Sequence, residues 1–235
     1  LFQEEAWQHI TDGRSGIVNA PTGCGKTFSV FLGALIQFIN ENPTAYQAKQ
    51  KNGLQLLWIT PLRALAKDIG RAMEEVIFEL GMKWKIGIRN GDTDISERQK
   101  QKRQMPEVLI ITPESLHLLL AQKGYPDYFQ SLKILGVDEW HELIGSKRGV
   151  QVELAVSRIV SICNSKLAVG KKENKSQLQT VNRQLSIWGI SATIGNLDEA
   201  KEVLLSSLRT NESGGNDVIV KANLKKNVVI ESVFP

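Results

Sequence analysis

The chain has 235 residues, 42% of them hydrophobic and 23% charged, with a net charge of +4. That length and apolar fraction support one domain with a sizeable core, and no stretch reaches the roughly 18 consecutive apolar residues of a membrane span. The modest basic excess is compatible with a nucleic-acid partner without demanding one. Cys24 and Cys163 are far apart and lack metal-ligand spacing, so a reducing, cytoplasmic setting fits. The chain starts Leu1-Phe2-Gln3, with neither Met nor a signal-peptide pattern, and reads as a piece of a longer protein.

In chain order, helix and strand signals alternate. Residues 2–10 have helical apolar spacing and run toward Asp12-Gly13; 16–20 form an apolar, β-prone run; 28–40 return to helical spacing. A polar loop over 40–52 precedes a buried strand at 54–60, stopped by Pro61. Helix is predicted over 62–80, ended by Gly81, then a strand at 84–88, a charged helix at 96–104, a strand at 108–112 closed by Pro113, and a helix at 114–122. A short strand is expected over 133–137 and an amphipathic helix over 150–163. The polar stretch 164–183, with Lys171-Lys172-Glu173-Asn174-Lys175, reads as a flexible insertion. A strand at 185–190 and a helix at 196–208 follow. The tail from 217 carries two short β-like runs split by Lys225-Lys226 and reads as a connection. Strands separated by helices predict an α/β fold, a mostly parallel sheet with helices on both faces.

Two strand ends carry the chemistry. Ala20-Pro21-Thr22-Gly23-Cys24-Gly25-Lys26-Thr27 lies between a strand and a helix, the context a phosphate-binding loop needs. Its backbone N–H groups and the helix N-terminus suit phosphate oxygens. Thr22, Gly23, Cys24, Gly25, Lys26 and Thr27 are therefore the expected nucleotide contacts, with Lys26 on the β- and γ-phosphates and the Thr27 hydroxyl on Mg²⁺. The strand at 133–137 ends in Asp138-Glu139-Trp140-His141. In an open parallel sheet that edge sits beside the phosphate loop. Asp138 is the expected second Mg²⁺ ligand, and Glu139 the group that orients and polarises an attacking water, which favours hydrolysis over transfer to another acceptor. Lys26, Asp138 and Glu139 are thus the expected catalytic set, with ATP and Mg²⁺ as cofactors. Gln3 either reads an adenine edge with its amide or is a surface residue at a helix start. A guanine-nucleotide switch is disfavoured, because Asn174-Lys175-Ser176-Gln177 lacks the Asp of that signature.

Further turns fall at the same sheet edge: Thr60-Pro61-Leu62-Arg63, Gly91-Asp92-Thr93 and Thr112-Pro113-Glu114-Ser115. Each offers a hydroxyl, a cation or helix-start N–H groups, which contact nucleic-acid phosphates without reading sequence. Thr60, Pro61, Arg63, Thr93, Thr112, Glu114 and Ser115 are expected on a strand-tracking face. Lys147 and Arg148 are counted with them, either as phosphate contacts or as a solvated charge pair. Ser191-Ala192-Thr193 follows another strand; Ser191, Thr193 and His141 are expected to couple the nucleotide and nucleic-acid sides. Trp140 is read as packing.

This order of motifs resembles the first motor domain of superfamily 2 helicases, within them the large-helicase-related family, and among those the bacterial ligase-associated DEXH-box helicases. Trp58-Ile59-Thr60-Pro61-Leu62-Arg63-Ala64-Leu65, Asp138-Glu139-Trp140-His141-Glu142-Leu143-Ile144-Gly145-Ser146-Lys147-Arg148-Gly149 and Gly189-Ile190-Ser191-Ala192-Thr193-Ile194-Gly195-Asn196-Leu197 are the most specific pieces. The resemblance implies a RecA-like P-loop NTPase domain over 1–215, with 216–235 leading toward a second motor domain. It implies an ATP-dependent motor on single-stranded DNA, moving 3′ to 5′ in DNA repair, in a bacterial cytoplasm at the nucleoid, with ligase and nuclease partners. It also implies that this stretch alone is nearly inactive. RNA as the track, and an ATP-regulated binding or remodelling module that does not separate strands, stay open, because phosphate contacts do not distinguish the sugar. The chain departs from the family pattern at Cys24, where Ser or Thr is usual, and at 164–183.

Overall fold

The computed structural model describes residues 1–173, 185–192, 194–208 and 217–222. Seven strands form one sheet: β1 (Gly16–Asn19), β2 (Leu56–Ile59), β3 (Ile86–Arg89), β4 (Val108–Ile111), β5 (Ile134–Val137), β6 (Ser186–Ser191) and β7 (Val218–Lys221), in the order β3-β4-β2-β5-β6-β1-β7. Every pairing is parallel. The central strands are buried along their whole length, which is why they read as unbroken apolar runs and not as alternating ones.

Alternate strand residues face opposite layers. Val18, Trp58, Ile110, Trp188 and Ile190 pack under α1 (Phe2–Thr11), α2 (Lys26–Glu41) and α3 (Arg63–Glu79). Ile17, Leu57, Ile59, Leu109, Val137 and Ile187 pack under α5 (Pro113–Leu120), α6 (Trp140–Leu143), α7 (Lys147–Glu173) and α8 (Leu197–Leu205). The charged α4 (Ile95–Arg103) buries only Gln101. Gly136 pairs with Trp58 across β5 and β2, and a Cβ there would stand 3.0 Å from the Trp58 ring.

The structure departs from the sequence reading in three places. Helix α7 runs to Glu173, so 164–173 continues a helix that was expected to stop at Cys163. The physical reason is local: Ser165, Lys166, Leu167 and Ala168 contain no helix breaker, so nothing stops the helix at Cys163. The rest of the expected insertion lies outside the described residues. Val218–Lys221, assigned to a connection, is instead a strand of the sheet beside β1. Its β-branched Val218, Ile219 and Val220 suit that place, and Gly16 opposite lacks the Cβ that would collide with the Val218 carbonyl. Two short elements were not anticipated, the 3₁₀ turn Tyr125–Phe129 and α6. Among the described residues, no helix is long and apolar enough to cross a membrane.

Candidate nucleotide site and nucleic-acid face

The loop after β1 closes on α2 through two glycines in left-handed backbone, Gly23 (φ 80°) and Gly25 (φ 77°). Only glycine takes that conformation without strain. Gly25 is the N-terminal cap of α2, so the free N–H groups of the helix start face the loop. Lys26 is 7% exposed and its Nζ is buried without a hydrogen-bond partner. A buried ammonium without a partner is costly, and an anionic group in the loop would satisfy it. Helix α1 clasps the loop from outside. The Gln3 amide donates to the Cys24 carbonyl at 3.0 Å, and the Trp7 indole donates to the Phe28 carbonyl at 3.2 Å. Gln3 therefore stands at the loop with one amide hydrogen already used.

Strand β6 alone separates β1 from β5, which puts the end of β5 about 10 Å across the sheet from the phosphate loop at ~4.8 Å per strand. Asp138 lies there, 4% exposed, its Oδ1 accepting the Glu139 backbone N–H at 3.0 Å. Burial, with the Glu139 charge, pushes its carboxyl up to about 6; the Glu139 N–H, the Trp58 indole and the Lys26 ammonium pull the other way. The Trp58 indole N–H acts from nearby without hydrogen-bond geometry, and stays unpartnered. The loop and the acidic turn both follow parallel strands that flank β6, so they lie at the same edge of the sheet.

Glu139 has φ 47° and ψ 45°, and is the one non-glycine residue among those described with positive φ. Such strain is tolerated where the surroundings enforce it. Here Trp140 is fully buried, and its indole donates to the Ala200 carbonyl at 3.0 Å, pinning the start of α6. His141 Nδ1 lies 3.4 Å from Glu139 Oε2. Between loop and acidic turn runs the end of β6: Ala20 N–H donates to the Ser191 carbonyl at 3.1 Å and the Asn19 amide to Ala192 at 3.3 Å. Ser191 is buried, with its hydroxyl unpartnered. Thr193 lies outside the described residues.

Thr27 and Asp138 are one hydroxyl and one carboxylate. Among the described residues no group of three His, Cys, Asp or Glu could hold a metal. Mg²⁺ keeps several waters and takes nucleotide phosphate oxygens when few protein ligands are present, so this sparse donor set fits it in company with a nucleotide. There the ion would draw charge from the phosphates.

The residues expected on the nucleic-acid face divide by exposure. Thr60, Pro61, Thr112 and Ser115 are buried. The hydroxyls of Thr60, Thr112 and Ser115 serve the turns themselves: Thr60 Oγ1 lies 3.5 Å from Leu62 N, and Thr112 Oγ1 donates to Ser115 Oγ at 3.2 Å. Helix starts must satisfy their own free N–H groups, and that competes with display to solvent. Arg63, about half exposed, lies against Gly91 and 3.7 Å from Asp92, joining the turns after β2 and β3. Thr93 closes its turn, accepting from Asn90 N–H at 3.0 Å and donating to the Ile88 carbonyl at 3.2 Å. Arg148 is not a free cation: its Nε donates to Glu114 Oε1 at 2.7 Å and its Nη2 to Oε2 at 3.4 Å. Lys147 is exposed. Sequence reasoning missed this pairing because Glu114 and Arg148 lie on different helices.

Residues 1–201 match the DEAD/DEAH box helicase family. The chain belongs to that family. Among relatives of this helicase domain, the ATP-dependent helicase Lhr-Core of Methanocaldococcus jannaschii is 30% identical over 243 residues, covering 99% of this chain and 25% of the relative. The Lhr helicase/uracil glycosylase of Escherichia coli is 31% identical over 174 residues, covering 69% of this chain and 11% of the relative. Among solved structures, the Mycobacterium smegmatis helicase Lhr bound to single-stranded DNA and AMP-PNP superposes with a TM-score of 0.69 at 29% identity, over 96% of this chain and 26% of that one. The chain thus spans about a quarter of the M. jannaschii and M. smegmatis proteins and about a tenth of the E. coli one. The RecA-like fold and the family expected from the motifs are both present.

Proposed function

We propose that this domain is the nucleotide-binding half of an ATP-driven motor that moves 3′ to 5′ along single-stranded DNA in DNA repair. The observation that supports the reading is that the Lys26 loop and the Asp138-Glu139 turn follow parallel strands on either side of β6, at one sheet edge, with Glu139 held in left-handed backbone. Lys26 and the loop N–H groups bind the phosphates; Thr27 and Asp138 hold Mg²⁺; Glu139 orients the water that attacks the γ-phosphate. His141 sits against Glu139, and Ser191 lies between the two catalytic turns, so a shift at the nucleic-acid face reaches Glu139 by short steps. DNA is favoured over RNA by the M. smegmatis relative, solved with single-stranded DNA and AMP-PNP.

The test is unwinding by the full-length protein of duplexes carrying a 3′ or a 5′ single-stranded tail, on DNA and on RNA, with ATP and Mg²⁺. ATP-dependent separation of the 3′-tailed DNA duplex is expected. Separation of only the 5′-tailed duplex would reverse the direction. ATP hydrolysis with no strand separation on any substrate would favour a clamp or remodelling module.

A further inference from the structure

Away from the nucleotide site, α4 and α5 enclose a cavity of ≈ 310 Å³. By strand spacing it lies roughly 24 Å from the phosphate loop, across five strand steps to β3. Arg89, the last residue of β3, forms part of its wall together with Arg98, Lys102 and Ser115, and Ile95 and Leu118 form an apolar rim. None of the residues lining it is acidic. Arg89 is 3% exposed and its Nη1 is buried without a hydrogen-bond partner. Burial and the charge of Arg98 hold the Arg89 guanidinium below its ordinary range, with Tyr128 opposing. Arg98 is fixed in place by donating to the Asn90 and Gly91 carbonyls at 2.9 and 3.2 Å, and its Nε has no partner. Two guanidiniums side by side, one deeply buried and neither paired with a carboxylate, are costly without an anion.

We propose that this cavity is a phosphate subsite for the nucleic-acid strand, taking a phosphodiester on Arg89 and Lys102 with the adjoining nucleoside against Ile95 and Leu118. The proposal rests on the strand-motor reading above. A strand fits better than another partner because Arg89 ends β3 and Ser115 follows the Thr112 turn, so that end of the cavity lies at the sheet edge that carries the Arg63, Gly91 and Thr112 turns. It extends that track past β4 to the last strand of the sheet. A guanidinium fork binds phosphate oxygens without reading bases, as a motor that steps along any sequence requires.

The experiment is fluorescence anisotropy with oligo(dT) from about 4 to about 16 nucleotides, using full-length wild type, Arg89→Gln and Leu118→Glu. Leu118 is 59% exposed, so a glutamate there sets a negative charge at the rim without disturbing the core. Strands long enough to reach the cavity should lose about tenfold in affinity in both variants, and the salt slope should fall by about one. Shorter strands should bind all three proteins alike. A uniform loss at every length in Arg89→Gln, with none in Leu118→Glu, would make Arg89 a folding residue and overturn the proposal. So would identical binding by all three proteins at every length. Inorganic phosphate that raises the melting temperature of wild type but not of Arg89→Gln, with no length-dependent loss, would mark a site for free anions and not for the strand. If wild type binds no strand at all, the motor reading falls, and this one with it.

Discussion

At the residue scale, Glu139 is asked to do two incompatible things. It occupies left-handed backbone, which suits glycine or asparagine, and on the proposed function it supplies a carboxylate at a reacting centre. The cost of the first is met by the buried Trp140 anchor that follows it. Glu139→Gln keeps shape and volume while removing the charge that would polarise water. Hydrolysis by the full-length protein should fall by about 10²–10⁴, with Mg-ATP binding retained in equilibrium dialysis; an equal loss of both would make Glu139 a structural residue. The Glu114–Arg148 pair is a second residue-scale case. Burial raises the Glu114 carboxyl, but the hydrogen bond and charge of Arg148 outweigh it and leave it below the ordinary carboxylate range. A depressed carboxyl contributes stability above its unfolded value and loses it as pH falls through the folded one. The pair is well exposed, so the contribution is small. Arg148→Ala should raise the Glu114 titration midpoint, read by carboxyl NMR. Any difference in melting temperature from wild type should be present at neutral pH and vanish in acid. A difference that persists unchanged in acid would point to lost packing by the Arg148 stem.

At the scale of elements, the site depends on how α6 and α7 meet. Gly149, in the first turn of α7, lies against the Leu143 carbonyl, and a Cβ there would collide with backbone. Ser146 ties the junction, donating to Leu143 and accepting from Gly149 N–H at 3.1 Å. Gly149→Ala should destabilise by about 1–3 kcal/mol, read by urea denaturation, and should slow hydrolysis as well, because Glu139 caps the start of α6. A variant as stable as wild type would mean the junction relaxes freely. Elements such as β2, β4 and β5 were legible in sequence, because a strand buried on both faces needs an unbroken apolar run. So were the phosphate loop and the acidic turn, since their chemistry requires fixed residues at fixed spacing. Helix α6 was hidden by its four residues, too few for a period. The burial of Thr60 and Thr112 was hidden too, because a hydroxyl that caps its own turn and one offered to a ligand are the same letter in the sequence. Arg89 gave no signal as a site residue: a cation at a strand end reads as solvated until the helices around it are placed.

At the scale of the whole molecule, the proposed function makes this domain half of a site. The Lys26 loop, Asp138 and Glu139 come from one sheet edge, so in the proposed site they would approach a nucleotide from one side. In P-loop motors the charge that builds on the transferred phosphoryl group is met from the far side by an arginine, worth on the order of 10³–10⁵ in rate, or about 4–7 kcal/mol of barrier. This domain corresponds to about a quarter of the relatives it matches, which leaves room in them for such an arginine. Residues 1–235 by themselves are therefore expected to bind Mg-ATP weakly, to hydrolyse it very slowly, and to gain little from single-stranded DNA. A second wall of the nucleic-acid groove would be needed for DNA to hold the domain in its active arrangement. The measurement is steady-state ATP turnover by residues 1–235 and by the full-length protein, each with and without single-stranded DNA over a range of protein concentrations. Full-length protein should be stimulated and the domain should not. Strong DNA-stimulated turnover by the domain, independent of its concentration, would mean that one sheet edge carries a complete active site, and the half-site reading would have to be given up. Turnover rising with the square of concentration would instead place the missing cation on a second copy of the domain.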